Sequence, residues 1–153
     1  MKAVTYYSYG SPEVLKVEEL EKPSVSEDGV LVRIHASSVN PAEFYAMYGL
    51  YIMRPQSGLT HPKDPRIGTD FAGVVEAVGS KVIHLKAGDE VYGGRTGAFA
   101  EYVNVVNAVV RKPAIVTFEE AAAIPTAAVT ALQGLRDHGK IKAGDKVLIN
   151  GAA

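Results

Sequence analysis

The sequence predicts a mainly β domain, a barrel or sandwich, that gives way to helices and then to the opening strand of a parallel sheet. Three observations predict it. Over the first hundred or so residues, short apolar runs alternate with period two and are cut by glycine and proline. At Thr117 the composition turns alanine-rich and helical. After the helices comes an unbroken apolar run, Lys146-Val147-Leu148-Ile149-Asn150, of the kind that parallel sheets bury on both faces.

Taken in order, Val30-Leu31-Val32-Arg33-Ile34-His35 sets Val30, Val32 and Ile34 on one face and Leu31, Arg33 and His35 on the other. A short helix is expected from Pro41 towards Gly49. The stretch over residues 50–68 holds Pro55, Gly58, Pro62 and Pro65 without a period, and reads as a long surface loop. Gly73-Val74-Val75-Glu76-Ala77-Val78-Gly79 is a strand with glycine at both ends. Glu90-Val91-Tyr92 follows a Gly88-Asp89 turn, and two further strands are expected around Tyr102 and Val109. Thr117-Phe118-Glu119-Glu120 fits a capping box. Pro125 ends the first helix near Ile124, because its ring cannot continue a helix interior. A second helix runs from about Thr126 to His138, with Gly139 as its carboxyl-terminal cap. Lys142-Ala143-Gly144-Asp145 repeats the turn of Lys86-Ala87-Gly88-Asp89, one turn used twice rather than a structural repeat. A lone strand has nothing to pair with. The final residues are therefore expected to open a second unit that the 153 residues do not contain, with the boundary between 1–120 and 121–153.

Composition narrows the function. Sixteen Lys and Arg balance 17 Asp and Glu, which gives no electrostatic case for nucleic acid or an anionic membrane. There is no cysteine, so disulfides and thiolate metal sites are excluded. His35, His61, His84 and His138 show no metal-ligand spacing. The amino terminus has no signal-peptide pattern and no run reaches the length of a membrane span, so a cytoplasmic protein is expected.

Four segments then carry a resemblance. They are Ala36-Ser37-Ser38-Val39-Asn40-Pro41; Gly68-Thr69-Asp70-Phe71-Ala72-Gly73 with its continuation to Asp89-Glu90-Val91-Tyr92-Gly93; Gly97-Ala98-Phe99-Ala100-Glu101-Tyr102-Val103; and Ala121-Ala122-Ala123-Ile124-Pro125 through to Gly151-Ala152-Ala153. In this order they resemble the amino-terminal half of the medium-chain dehydrogenases and reductases. The resemblance implies a GroES-like irregular β-barrel followed by a Rossmann domain that binds NADPH, with the active site in the cleft between them. A hydride moves only between atoms held at near-contact, so a two-part clamp is physically sensible. The zinc-dependent relatives carry cysteine where Asn40 stands, a His-Glu pair where Thr69-Asp70 stands, and a four-cysteine lobe. None of these is present, so the resemblance is to the zinc-independent, quinone-oxidoreductase-like branch, and no zinc is expected.

The same resemblance nominates residues, each with a plainer alternative. Asn40 orients substrate or nicotinamide, or is only a turn opener before Pro41. Tyr45 lines the substrate pocket and donates to a carbonyl oxygen, or is an ordinary packing tyrosine among eight. Asp70 orients its neighbours in the cleft, or stabilises a turn. Thr130 bonds the nicotinamide carboxamide, or bonds its own preceding turn. Thr126 is a weaker cofactor candidate, since a helix N-cap accounts for it. Tyr51 and Met53 form an apolar wall for a quinone ring, or pack a loop. Gly151 is the first residue of a phosphate-binding loop whose remaining glycines are not in the sequence.

The function expected is the substrate-side part of an NADPH-dependent oxidoreductase that reduces quinones or α,β-unsaturated carbonyls, inactive as this chain alone. The alternative is a stand-alone GroES-like binding or structural module without catalysis; a zinc enzyme with eroded ligands is a third reading. An uncovered apolar cleft favours self-association, so a homo-oligomer is expected.

Overall fold

A computed structural model describes residues 1–52 and 54–151. Strands β1 (Lys2–Thr5) and β2 (Lys16–Glu19) pair antiparallel as a small separate sheet. The main sheet contains β3 (Val30–Ser38), β4 (Asp70–Val78), β5 (Glu90–Gly94), β6 (Tyr102–Val105) and β7 (Val109–Arg111). All its pairings are antiparallel, in the order β6-β3-β4-β5-β7.

The chain is mainly β, as the sequence predicts, but the barrel that the resemblance implies does not close. Strands β6 and β7 are the two edges, with no ladder between them. Only residues 106–108 connect them. Five flat strands would set their edges about 19 Å apart, whereas four residue steps reach at most about 14 Å. The sheet must therefore curl until its edges approach. Val30, Val32, Phe71, Val75, Val91, Val103 and Val105 fill the concavity as one apolar cluster.

Two register shifts interrupt the β3–β4 ladder, and the second passes over His35. A bulge of this kind turns the strand and re-aims the side chains beyond it. Here it frees the His35 ring to stack on Phe118 at 4.5 Å. It also sets Ser38, the last residue of β3, opposite Asp70, the first of β4.

Helix α1 (Pro41–Tyr48) follows β3 directly and stops at Gly49, whose φ of 63° takes the left-handed region open to glycine. The expected structureless loop contains one helical turn, α2 (Arg54–Ser57). The Tyr9 hydroxyl, which donates to Gly58 O at 2.7 Å, ties it down. The Thr117 capping box forms as the sequence predicts: Glu120 N donates to Thr117 Oγ1 at 3.2 Å and Thr117 N to Glu120 Oε2 at 2.8 Å. It starts α3 (Phe118–Ala122), whose Ala121 and Ala122 pack on Ala72.

Helix α4 (Pro125–Leu132) follows, with Pro125 at its first position. It continues as a π-helical stretch over Gln133–His138. Gly139 is the carboxyl-terminal cap, as the sequence predicts, but in a right-handed conformation with φ −72°; Lys140, at φ 50°, takes the left-handed position. The wider π repeat explains the shift, since Gly139 N reaches back to Gly134 O at 2.8 Å and stays right-handed.

The two Lys-Ala-Gly-Asp turns are alike. Gly88 and Gly144 both have φ 90°, and each aspartate carboxylate accepts the backbone N–H three residues before it. The first leads into β5. After the second, residues 146–150 join no ladder among the described residues, so the expected strand is not formed. Val147, Leu148 and Ile149 are exposed. A strand exists only through a neighbour's hydrogen bonds, and none is at hand.

Candidate functional site

The site is organised by a helix that lacks its own cap. The first backbone N–H groups of a helix have no partner within it, and Ile124, preceding α4, has a helical conformation and no polar side chain to offer. Asp70 supplies the missing acceptor from another element. It sits between Ser38 of β3 and Gly94 of β5 and is fully buried. Thr126 N donates to its Oδ2 at 2.9 Å, and Thr126 Oγ1 donates to its Oδ1 at 2.7 Å. Thr126 is therefore not the N-cap that the sequence suggests. Pro125 takes the first helical position, which leaves Thr126 inside the first turn as a donor.

The same carboxyl collects two longer bonds. Asn40 Nδ2 donates to Asp70 Oδ2 at 3.2 Å and to Ser38 Oγ at 3.3 Å, and Ser38 Oγ donates to Asp70 Oδ2 at 3.3 Å. These contacts fix the Asn40 amide at the entrance to α1. Asn40 and Glu43 stand in capping-box relation, with Asn40 N donating to Glu43 Oε2 at 2.7 Å. Glu43 is buried, and its Oε1 has no partner among the described residues.

The structure thus brings Asn40, Asp70 and Thr126 into one network. Thr130 extends it by a turn: its Oγ1 donates to Thr126 O at 2.6 Å while the side chain stays exposed. Tyr45 stands apart on α1, nearly half exposed and edge-on to Phe44 at 5.7 Å. Tyr51 is exposed, with the Arg54 guanidinium 4.5 Å above its ring. Met53 lies outside the described residues. Gly151 adopts φ 75° in an exposed turn, remote from any side chain that a Cβ there would meet.

A cavity of about 440 Å³ opens beside Asp70 and Thr126, with Thr69, Arg95, Thr96, Val106 and Pro125 among its walls. That is large enough for a ring-sized ligand. A smaller one of about 200 Å³ lies across Thr69 and Thr96 from it, walled by Tyr6, Glu43, Arg66 and Ile67. Arg66 grips Asp64 through two hydrogen bonds, Nε to Oδ1 at 2.9 Å and Nη2 to Oδ2 at 2.7 Å. Those bonds hold the Asp64 carboxyl below the usual carboxylate range. Burial, helped by the charges of Tyr9 and Asp64, pushes the Tyr6 phenol up. Among the described residues no three His, Asp or Glu side chains are grouped to hold a metal.

Ser38, Glu43, Thr69, Arg95 and Thr96 are not among the residues that the sequence nominates. Glu43 is legible there: Asn40 followed three residues later by Glu43 is a capping-box spacing. Arg95 and Thr96 carry no signal, since only the curl of the sheet brings the end of β5 beside α4.

A curled antiparallel sheet with a capped helix across its open end is a GroES-like arrangement, and the sequence comparison agrees: residues 26–114 match the alcohol dehydrogenase GroES-like domain. The chain belongs to that family, within the medium-chain dehydrogenases and reductases. Over its whole length it is 40% identical to a 2-methylene-furan-3-one reductase of Solanum lycopersicum, covering 41% of that protein. It is likewise 38% identical to a human quinone oxidoreductase, covering 46%. The Escherichia coli quinone oxidoreductase complexed with NADPH superposes with a TM-score of 0.81 at 32% identity, over 93% of this chain and 42% of that one. The chain therefore spans less than half the length of these relatives. Among the described residues no helix is long and apolar enough to cross a membrane.

Proposed function

We propose that this chain forms the substrate-side part of an NADPH-dependent reductase of quinones or α,β-unsaturated carbonyls. Residues 1–120 would make the substrate-side unit, and 121–153 the link to a nucleotide-binding unit supplied from outside these residues. The observation that carries the reading is the Asp70 network, which ties Asn40 to the start of α4 beside a cavity that Asp70 and Thr126 line. Relatives named as quinone oxidoreductases and as a furanone reductase support it.

When bound, NADPH supplies the hydride. The residues present fit a nicotinamide. Thr130 Oγ1 spends its hydrogen on Thr126 O, which leaves exposed oxygen lone pairs to accept from the carboxamide. Asn40, its NH₂ held by Ser38 and Asp70, presents the amide oxygen to the bound ring. Asp70 is a positioning residue. Tyr45, exposed on α1, would offer its phenol O–H to a carbonyl oxygen of the substrate. Gly151 would open the phosphate loop. Val129 and Leu132 of α4, and Leu148 and Ile149, are exposed apolar side chains that a second unit or a second copy would cover. That surface favours this reading over a self-sufficient binding module.

The test is NADPH oxidation with 1,4-naphthoquinone. Joined to the carboxyl-terminal remainder of a quinone oxidoreductase relative, the chain is expected to turn over, and alone it is not. Ordinary enzymatic turnover by the 153 residues alone, or none by the joined protein although it binds NADPH, would sink the proposal.

A further inference from the structure

The larger cavity holds a charge that the network does not use. Arg95 follows directly on the last residue of β5, and its backbone N–H donates to Thr69 O at 2.7 Å, so the base of the side chain is fixed at the cavity wall. Its guanidinium makes no hydrogen bond or ion pair with any described residue, and the side chain is exposed. A carboxylate that feels it is Asp64, whose pKa it helps to lower. Asp64 is already committed to Arg66 through two side-chain hydrogen bonds, so Arg95 has no ion-pair partner among the described residues. The carboxyl that does line this cavity, Asp70, is fully buried, and both of its oxygens are bonded by Thr126, Asn40 and Ser38. Around Arg95, the Thr69 and Thr96 hydroxyls form no hydrogen bond with a described residue and remain available. An unpaired guanidinium flanked by free hydroxyls is a receptor for a carboxylate, sulfonate or phosphate oxygen.

The geometry points to Arg95 as a specificity residue: the cavity beside Asp70 and Thr126 takes a ligand that carries an anionic group, seated on Arg95 with Thr69 and Thr96. This rests on the proposed reductase reading and adds to it the class of ligand. The anion belongs either to the electrophilic substrate or to the phosphate of the nicotinamide half of the cofactor, and the two sources are separable.

Equilibrium dialysis of the 153-residue chain against three probes tests it: neutral 1,4-naphthoquinone, 1,2-naphthoquinone-4-sulfonate, and reduced nicotinamide mononucleotide. The parent chain is expected to bind one anionic probe about fivefold more tightly than Arg95→Gln does, the gain of one partly exposed charge-assisted contact. That advantage should shrink as salt rises towards about 0.5 M and should return in Arg95→Lys. The neutral quinone should bind both forms alike. Loss on the sulfonated quinone assigns the anion to the substrate, and loss on the mononucleotide assigns it to the cofactor. If Arg95→Gln binds both anions as tightly as the parent while the neutral quinone still binds, the Arg95 inference is overturned and the reductase reading stands. If no probe binds, the Arg95 inference is overturned, and turnover by the joined protein decides the reductase reading separately.

Discussion

Replacing Asp70 tests the cross-element cap. Four hydrogen bonds converge on this carboxyl: Thr126 N and Thr126 Oγ1 at 2.9 and 2.7 Å, Asn40 Nδ2 at 3.2 Å and Ser38 Oγ at 3.3 Å. In Asp70→Asn the shape is kept, and one acceptor oxygen becomes an NH₂ donor. If the NH₂ replaces Oδ1, the short Thr126 Oγ1 bond loses its acceptor and the hydroxyl must turn. If it replaces Oδ2, three donors face a donor. The first arrangement is cheaper, and losing one bond of that quality costs about 1.5–3 kcal/mol. Asp70→Ala strips all four and leaves a buried helix amide unpaired, at the upper end of single-site losses, about 4 kcal/mol. Urea unfolding gives the stabilities. Amide hydrogen exchange at Thr126 gives the location, because fraying should begin at α4 before the sheet responds. An Asp70→Asn chain with an unchanged urea midpoint and undiminished protection at Thr126 would refute the reasoning.

Other expectations rest on single contacts. Thr117→Ala removes one arm of the α3 capping box and should cost about 1 kcal/mol by urea unfolding. Gly68→Ala places a Cβ at φ 92° and into the Phe99 ring and backbone, so it should lose more than about 1 kcal/mol, read as a lower thermal midpoint. Asp64 has a depressed folded pKa, so its contribution is complete above the unfolded value near 4 and fades as pH falls through the lower folded value. Asp64→Asn should therefore flatten the acid limb of stability against pH and leave the alkaline side unchanged in slope. The exposed 147–149 segment should drive concentration-dependent association in sedimentation, and Leu148→Lys with Ile149→Lys should reduce it.

How far the sequence can be read depends on how local each cause is. The Thr117 box, the Pro125 break and the two Lys-Ala-Gly-Asp turns are set by residues a few positions apart, and they form as the sequence predicts. The β3 alternation is present as well, except that Leu31 is buried together with Val30 and Val32, where the β3–β4 register shifts. What the sequence hides is long-range. Thr126 looks like a cap because its true partner, Asp70, is 56 positions away. Gly139 caps the second helix as expected, but the π repeat before it cannot be read from residue types. A closed barrel is expected because strand spacing does not say whether the last edges pair, and here they do not. In the candidate site, the sequence nominates Asn40, Asp70 and Thr126 separately, and only the ladder register shows that they touch.

The measurement that bears most directly on the site is an amide NMR titration of this chain with neutral 1,4-naphthoquinone. The account predicts shifts concentrated at Thr69, Thr96, Thr126 and the start of α1. Shifts confined to α2 and the exposed 147–149 segment, with those residues unmoved, would contradict it.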